Sequence, residues 1–173
     1  MKKLFALMLA LCLMFSVAMA ETATEELNWA DVESLAAEVG GNFVHIDLGL
    51  IMWVPEGYEA TAEVSDELAE LGFIGTIAPA DGSGVVAFQY VEAEGADFDD
   101  VIAAIPGAQD PKVMVINGIA CVNFDLVLNG VLASCVAFPT EQNNIYVIDF
   151  MPMDNADFAV LSTVMLGSIQ TAE

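Results

Sequence analysis

The run "GIACVNFDLVLNGVLASC", residues 118–135, decides the fold. Its two apolar stretches flank Asn129-Gly130, and an Asn-Gly pair is the strongest short-range signal of a two-residue type I′ hairpin turn. With those residues at the turn, Leu128 pairs with Val131 and each pair of numbers sums to 259. Phe124 then faces Cys135, and Cys121 faces Phe138. The two cysteines stand at an odd offset in this register, so they point to opposite faces of the sheet. A disulfide needs Cβ atoms within about 4 Å and does not fit that register. A single β-bulge would reverse the parity, which keeps a staple open as the alternative. Alternation places Ala120, Val122, Phe124 and Leu126 with Ala133, Cys135 and Ala137 on a packed face. Cys121 shares its own face with Asn123 and Asp125, which predicts a more exposed thiol or one covered by a helix.

Outward from this hairpin, "KVMVI" precedes it and "IYVIDFM" follows it, making a meander. "FIGTIAP" and "VVAFQYVE" form a second hairpin across "ADGSG", and "NFVHID" and "LIMWVP" are two shorter strands. Helical spacing appears in "NWADVESLAAEV", where Trp29, Val32, Leu35, Ala36 and Val39 share a face behind Asn28. It returns in "SDELAELG", in "DFDDVIAAIPG" and in "DNADFAVLSTVMLGSIQ". Hairpin-linked strands with helices at intervals predict an α+β fold: a central, mainly antiparallel sheet of about six to eight strands flanked by helices. The expected organisation is a signal peptide over 1–20, an acidic segment with a helix over 21–41, and a single α+β domain over 42–173.

The N-terminus sets the expected compartment. "MKK" is a basic start, "LFALMLALCLMFSV" an apolar centre and "AMA" a small-residue cleavage signal ending at Ala20. The chain is therefore expected to be secreted, into the extracellular space or the cell envelope, and not to remain an integral membrane protein after cleavage. Lys2 and Lys3 leave with the signal while all 26 acids stay, so the three cations fall to one, Lys112, and the net charge becomes 1 − 26 = −25. So acidic a chain has no basic patch for phosphates, which excludes nucleic acid as a partner class. It is not disordered, because 57% of its residues are apolar. Crowded carboxylates predict greater stability near pH 5 than near pH 8, and stabilisation by salt.

The candidates for chemistry are few. One histidine, His45, has Asp47 two residues on, so Cys121, His45 and Asp47 are the only cysteine triad the chain can assemble. The plainer reading makes His45 a polar residue on a half-buried strand. No "GxSxG" elbow supports a serine nucleophile, and one histidine with two cysteines on different faces argues against zinc. Oxygen ligands are plentiful: "EAEGADFDD" gathers Asp97, Asp99 and Asp100 with Glu92 and Glu94, and Asp154 and Asp157 sit close together. Weak calcium binding is the one cofactor reading they permit, with helix capping the simpler account of both groups. Trp29 and Trp53 follow apolar periodicity and read as core.

The order of these elements, with "GLIMWVPEGYEA", "INGI" before the meander and a closing "VLSTVMLGSIQ", resembles the Mog/PsbP-like fold, a group that includes bacterial envelope proteins related to DcrB. The resemblance runs from about Asn42 to Gln170. It implies a central antiparallel sheet between helical layers and a non-catalytic accessory or binding role; it carries over no catalytic or ligand residue. The functional expectation is a secreted bacterial protein that binds a protein, peptide or cationic ligand through an acidic surface. The alternatives are a small extracellular Cys-His hydrolase and a calcium-modulated binding module.

Overall fold

Strands β8 (Ile119–Leu128) and β9 (Val131–Pro139) pair from Leu128↔Val131 through Phe124↔Cys135 to Val122↔Ala137, the register that the Asn-Gly turn predicts. The computed structural model describes residues 24–61, 63–92, 102, 105, 107–128, 130–140 and 144–172. The segment 1–20 read as a signal peptide lies outside them. On either side of the hairpin stand β7 (Gln109–Ile116) and β10 (Asn144–Met151). Beyond β10 come β6 (Val85–Glu92), β5 (Phe73–Pro79) and β4 (Tyr58–Thr61). β1 (Glu25–Leu27) closes the opposite edge by pairing with β7 in parallel. The result is an eight-stranded sheet in the order β1-β7-β8-β9-β10-β6-β5-β4, antiparallel except at β1. A smaller sheet, β11-β3-β2, joins β2 (Gly41–His45), β3 (Leu50–Pro55) and β11 (Gln170–Thr171).

Three helices are described. α1 (Trp29–Val39) starts where the Asn28 N–H donates to the Asp31 carboxylate at 3.0 Å, and Gly40 ends it with φ 81°. Val32, Leu35 and Ala36 are its buried face, while Val39 at its end is exposed. α2 (Asp66–Glu70) is capped by Ser65 Oγ, which accepts from the Leu68 N–H, and buries none of its residues. α3 (Ala156–Gly167) is capped by Asn155 and packs on α1 and β3.

Both faces of the large sheet are covered, so β10 is buried on both sides from Ile145 to Phe150. One face joins Tyr146, Ile148, Phe150, Phe88, Phe138, Met114 and Cys121 to α1, α3 and β3. The other joins Phe124, Leu126, Cys135, Ile145 and Val147 to Ile102. β1 and α1 join this domain: β1 pairs into the large sheet, and Leu27, Val32, Leu35 and Ala36 enter its core.

Candidate functional site

β3 packs against one face of the large sheet, and the turn from β2 to β3 meets β4 and β5 beside it. Two residues in this turn, Leu48 (φ 61°) and Gly49 (φ 67°), take the left-handed conformation that reverses the chain tightly. The cleft beneath holds about 210 Å³. His45 and Asp47 stand at its rim with Thr61 and Thr76; Ile77, Phe88 and Tyr146 form its floor. The floor comes from the pleat of β5, β6 and β10, which aims alternate side chains at the smaller sheet. A few polar groups over an apolar floor are the usual composition of a ligand site.

Asp47 lies in the turn rather than on β2, which ends at His45, so the two residues do not share a strand face as their spacing implies. The turn nevertheless brings both to the cleft. Beside them are two phenols whose rings tilt against each other with centroids 5.2 Å apart, Tyr90 and Tyr146. Burial pushes both phenols above their ordinary pKa, and the Asp47 carboxylate pushes Tyr90 further the same way. Both therefore stay protonated at neutral pH and present O–H donors beside an acceptor carboxylate.

Cys121 does not line this cleft. It is 3% exposed, in the core on the covered face of β8, where its thiol points to the Met114 carbonyl at 3.7 Å. Of the two readings of Cys121, exposed or covered by a helix, the second holds: the helical layer and β3 cover that face of the sheet. Burial pushes its thiol up to about 12, which suppresses the thiolate that a nucleophile requires. Cys135 is wholly buried on the opposite face, its thiol also raised by burial, and both cysteines are free. No bulge interrupts the β8–β9 register, and the staple does not form.

Asp97, Asp99 and Asp100 lie outside the described residues. Asp154 and Asp157 are described at the start of α3, and among the described residues no group of three or more His, Cys, Asp and Glu side chains could hold a metal ion. No helix among the described residues is long and apolar enough to cross a membrane.

Two features escaped the sequence. Asp149 on β10 is 1% exposed, faces Cys135 across the strand pair, and has no hydrogen-bond partner for either oxygen among the described residues. Strand parity could have found it, since it stands with Ile145 and Val147 on an apolar face. Asn117 and Ser168 form a latch. Asn117 Oδ1 accepts from the Trp29 N–H at 2.7 Å, and its amide donates to the carbonyls of Gly167 and Ile169. Ser168 Oγ accepts from the Trp53 N–H at 2.7 Å and donates to the Met165 carbonyl at 2.6 Å. "INGI" signals the turn that holds Asn117, but no local pattern signals the bonds.

No family model matches the chain, and no curated protein matches it. Solved structures do. The solution structure of cyanobacterial PsbP (CyanoP) from Synechocystis sp. PCC 6803 superposes with a TM-score of 0.53 at 12% identity, over 77% of this chain and 93% of that one. The crystal structure of LpqN, involved in cell envelope biogenesis of Mycobacterium tuberculosis, gives a TM-score of 0.43 at 16% identity over 78% and 91%. The CyanoP similarity is one of fold: this chain has the α+β architecture of a PsbP-like protein, with a mixed, mostly antiparallel eight-stranded sheet and helices on it.

Proposed function

We propose that this chain is a secreted binding protein that acts without catalysis, holding a positively charged segment of a protein or peptide partner at the His45–Asp47 cleft. The observation that carries the reading is the cleft's own composition: the exposed Asp47 carboxylate with Thr61 and Thr76 over a floor of Ile77, Phe88 and Tyr146, with neither thiol in its lining. Such a site can accept hydrogen bonds from a cation, donate others, and bury an apolar neighbour of that cation. The charge of the chain outside its leader, −25 by the count above, draws cationic partners from a distance.

The test is calorimetric titration of the mature chain with a short lysine-rich peptide carrying one aromatic residue. Saturable binding that Asp47→Asn weakens several-fold supports the reading. Weak, unsaturable binding that physiological salt abolishes equally in wild type and variant overturns it. Ester or peptide hydrolysis lost in His45→Ala overturns the non-catalytic reading in favour of a catalytic role for His45. A melting shift with calcium that neither magnesium nor matched ionic strength reproduces favours the calcium-modulated module.

A further inference from the structure

The two sheets have four edge strands, β1 and β4 on the large sheet and β11 and β2 on the small one. An edge strand presents a row of backbone groups that another chain can pair with, and proteins blunt such edges with shortness, charge, bulges or proline. Three of the four are blunted. β11 has two residues, β1 has three of which two are exposed glutamates, and β4 has four with Glu59 exposed among them. β2 is different. It runs for five residues, Gly-Asn-Phe-Val-His, without a carboxylate, a lysine or a proline. Its register against β3 is unbroken from Gly41↔Pro55 to His45↔Ile51.

The bonds of β3 decide which groups of β2 face outward. The Trp53 N–H donates to Ser168 Oγ at 2.7 Å, on the β11 side of β3 and so away from β2. In an antiparallel pair, residues directly opposite each other either exchange both backbone bonds or turn both groups away. Phe43, opposite Trp53, therefore turns its N–H and C=O away from β3, and by alternation Gly41 and His45 do the same. The Ile46 N–H, which donates to the Leu50 carbonyl at 2.9 Å, gives the same parity from the turn end. Asn42 and Val44 are thus the residues bonded to β3. The outward groups of Gly41, Phe43 and His45 follow one another at about 7 Å, and no hydrogen bond to them is present among the described residues.

The surroundings of this edge select its occupant. Phe43 is 40% exposed, so a strand laid alongside gains an apolar cross-strand contact with it. Exposed carboxylates stand at both ends, Asp47 two residues past His45 and Glu56 beside Gly40. Lys112, the one lysine or arginine among the described residues, is on β7. A complementary strand therefore carries an apolar residue opposite Phe43 and a basic residue two places to either side. A second copy of this chain fits poorly, because two molecules of net charge −23 repel each other.

We infer that β2 takes up an extended segment of a partner protein as an added strand, with the pattern basic-x-apolar-x-basic. The inference rests on the proposed reading, a cationic segment held at the His45–Asp47 cleft, and adds how that segment is held. One basic residue reaches Asp47, the other reaches Glu56, and the backbone between them pairs with β2. Backbone pairing supplies affinity in such a site, and the alternate side chains supply specificity.

The probe is the peptide Thr-Lys-Thr-Val-Thr-Lys-Thr, acetylated and amidated, titrated into the mature protein and followed by amide hydrogen exchange. In the free protein the Val44 amide exchanges slowly and those of Phe43 and His45 rapidly. At saturation Phe43 and His45 slow about tenfold or more while Val44 is unchanged. N-methylation of one alternate set of peptide amides abolishes binding and that of the other set is tolerated, since only one set faces β2. Saturable binding that Asp47→Asn weakens, with Phe43 and His45 still exchanging rapidly, overturns the inference and leaves the cleft reading standing. A peptide that does not bind at all overturns both. Equal effects of the two methylations overturn strand pairing, as does protection of Phe43 and His45 that rises with protein concentration alone, which would make a second copy the occupant.

Discussion

Asp149→Asn removes a carboxylate that β10 carries into the core, and with it a pH dependence of definite sign. Asp149 lies on the face with Cys135, Ile145 and Val147, and burial pushes its carboxyl up from 3.8 to about 6. A raised carboxyl means that the folded state holds the proton more tightly than the unfolded chain. Below pH 3.8 both states are protonated and nothing is lost. Above it the unfolded chain ionises first, and folding stability falls until the pH passes about 6. At 1.36 kcal/mol per tenfold, the whole loss is about 3 kcal/mol, of which about 2 kcal/mol falls between pH 4.5 and 7.5.

Urea unfolding followed by tryptophan fluorescence measures this directly, and urea, being uncharged, does not screen the other acids. Wild type and Asp149→Asn share those acids, so the difference between their pH slopes isolates the one group. The variant is expected to lose about 2 kcal/mol less than wild type between pH 4.5 and 7.5. Any cost of burying the amide applies at both pH values and cancels. Parallel slopes would refute the argument.

Three further outcomes are expected. Ser168→Ala leaves the buried Trp53 N–H without its acceptor and costs about 1–3 kcal/mol in the same urea assay, whereas a neutral result would mean that the latch contributes nothing. Gly84→Ala drives a methyl group into the Phe158 ring and costs about 1–3 kcal/mol; Phe158→Leu in the same chain recovers part of it, and simple additivity of the two changes would contradict the contact. Thiol titration of the native mature protein gives two slow thiols that react fast only in urea, and one rapid thiol in the folded protein would show that the cysteines are not packed as described.

Much of the fold was legible in the sequence because the signals were local. The Asn-Gly turn fixed the β8–β9 register, and β5 and β6 run over the stretches that alternation marks. The strands missed were those with little to bury. β4 has only Tyr58 partly covered among four residues, and β1 buries only Leu27. β11 is two residues long and exists because β3 needs a neighbour. Of the site, the sequence named His45 and Asp47 but misread how they meet, through the turn that Leu48 and Gly49 permit rather than along a strand. Tyr146 and Phe88 were invisible as site residues, since a floor is made by how β3 and its turn pack on the large sheet. Trp29 and Trp53, read as core from their apolar spacing, are so placed: Trp53 is 4% exposed in the core and Trp29 packs partly buried against it.

The latch at residues 167–169 has a consequence for when the chain can fold. It joins Trp29 to Asn117 across 88 positions and Trp53 to Ser168 across 115, while β11 closes on β3 from the far end of the sequence. The Ser168 and β11 contacts form only after nearly the whole polypeptide has been made, and their long loops must close first, which slows folding. A chain of this design stays threadable until its last helix emerges. Folding is completed only when α3 arrives and the segment after it fastens β3 and, through Asn117, the start of α1.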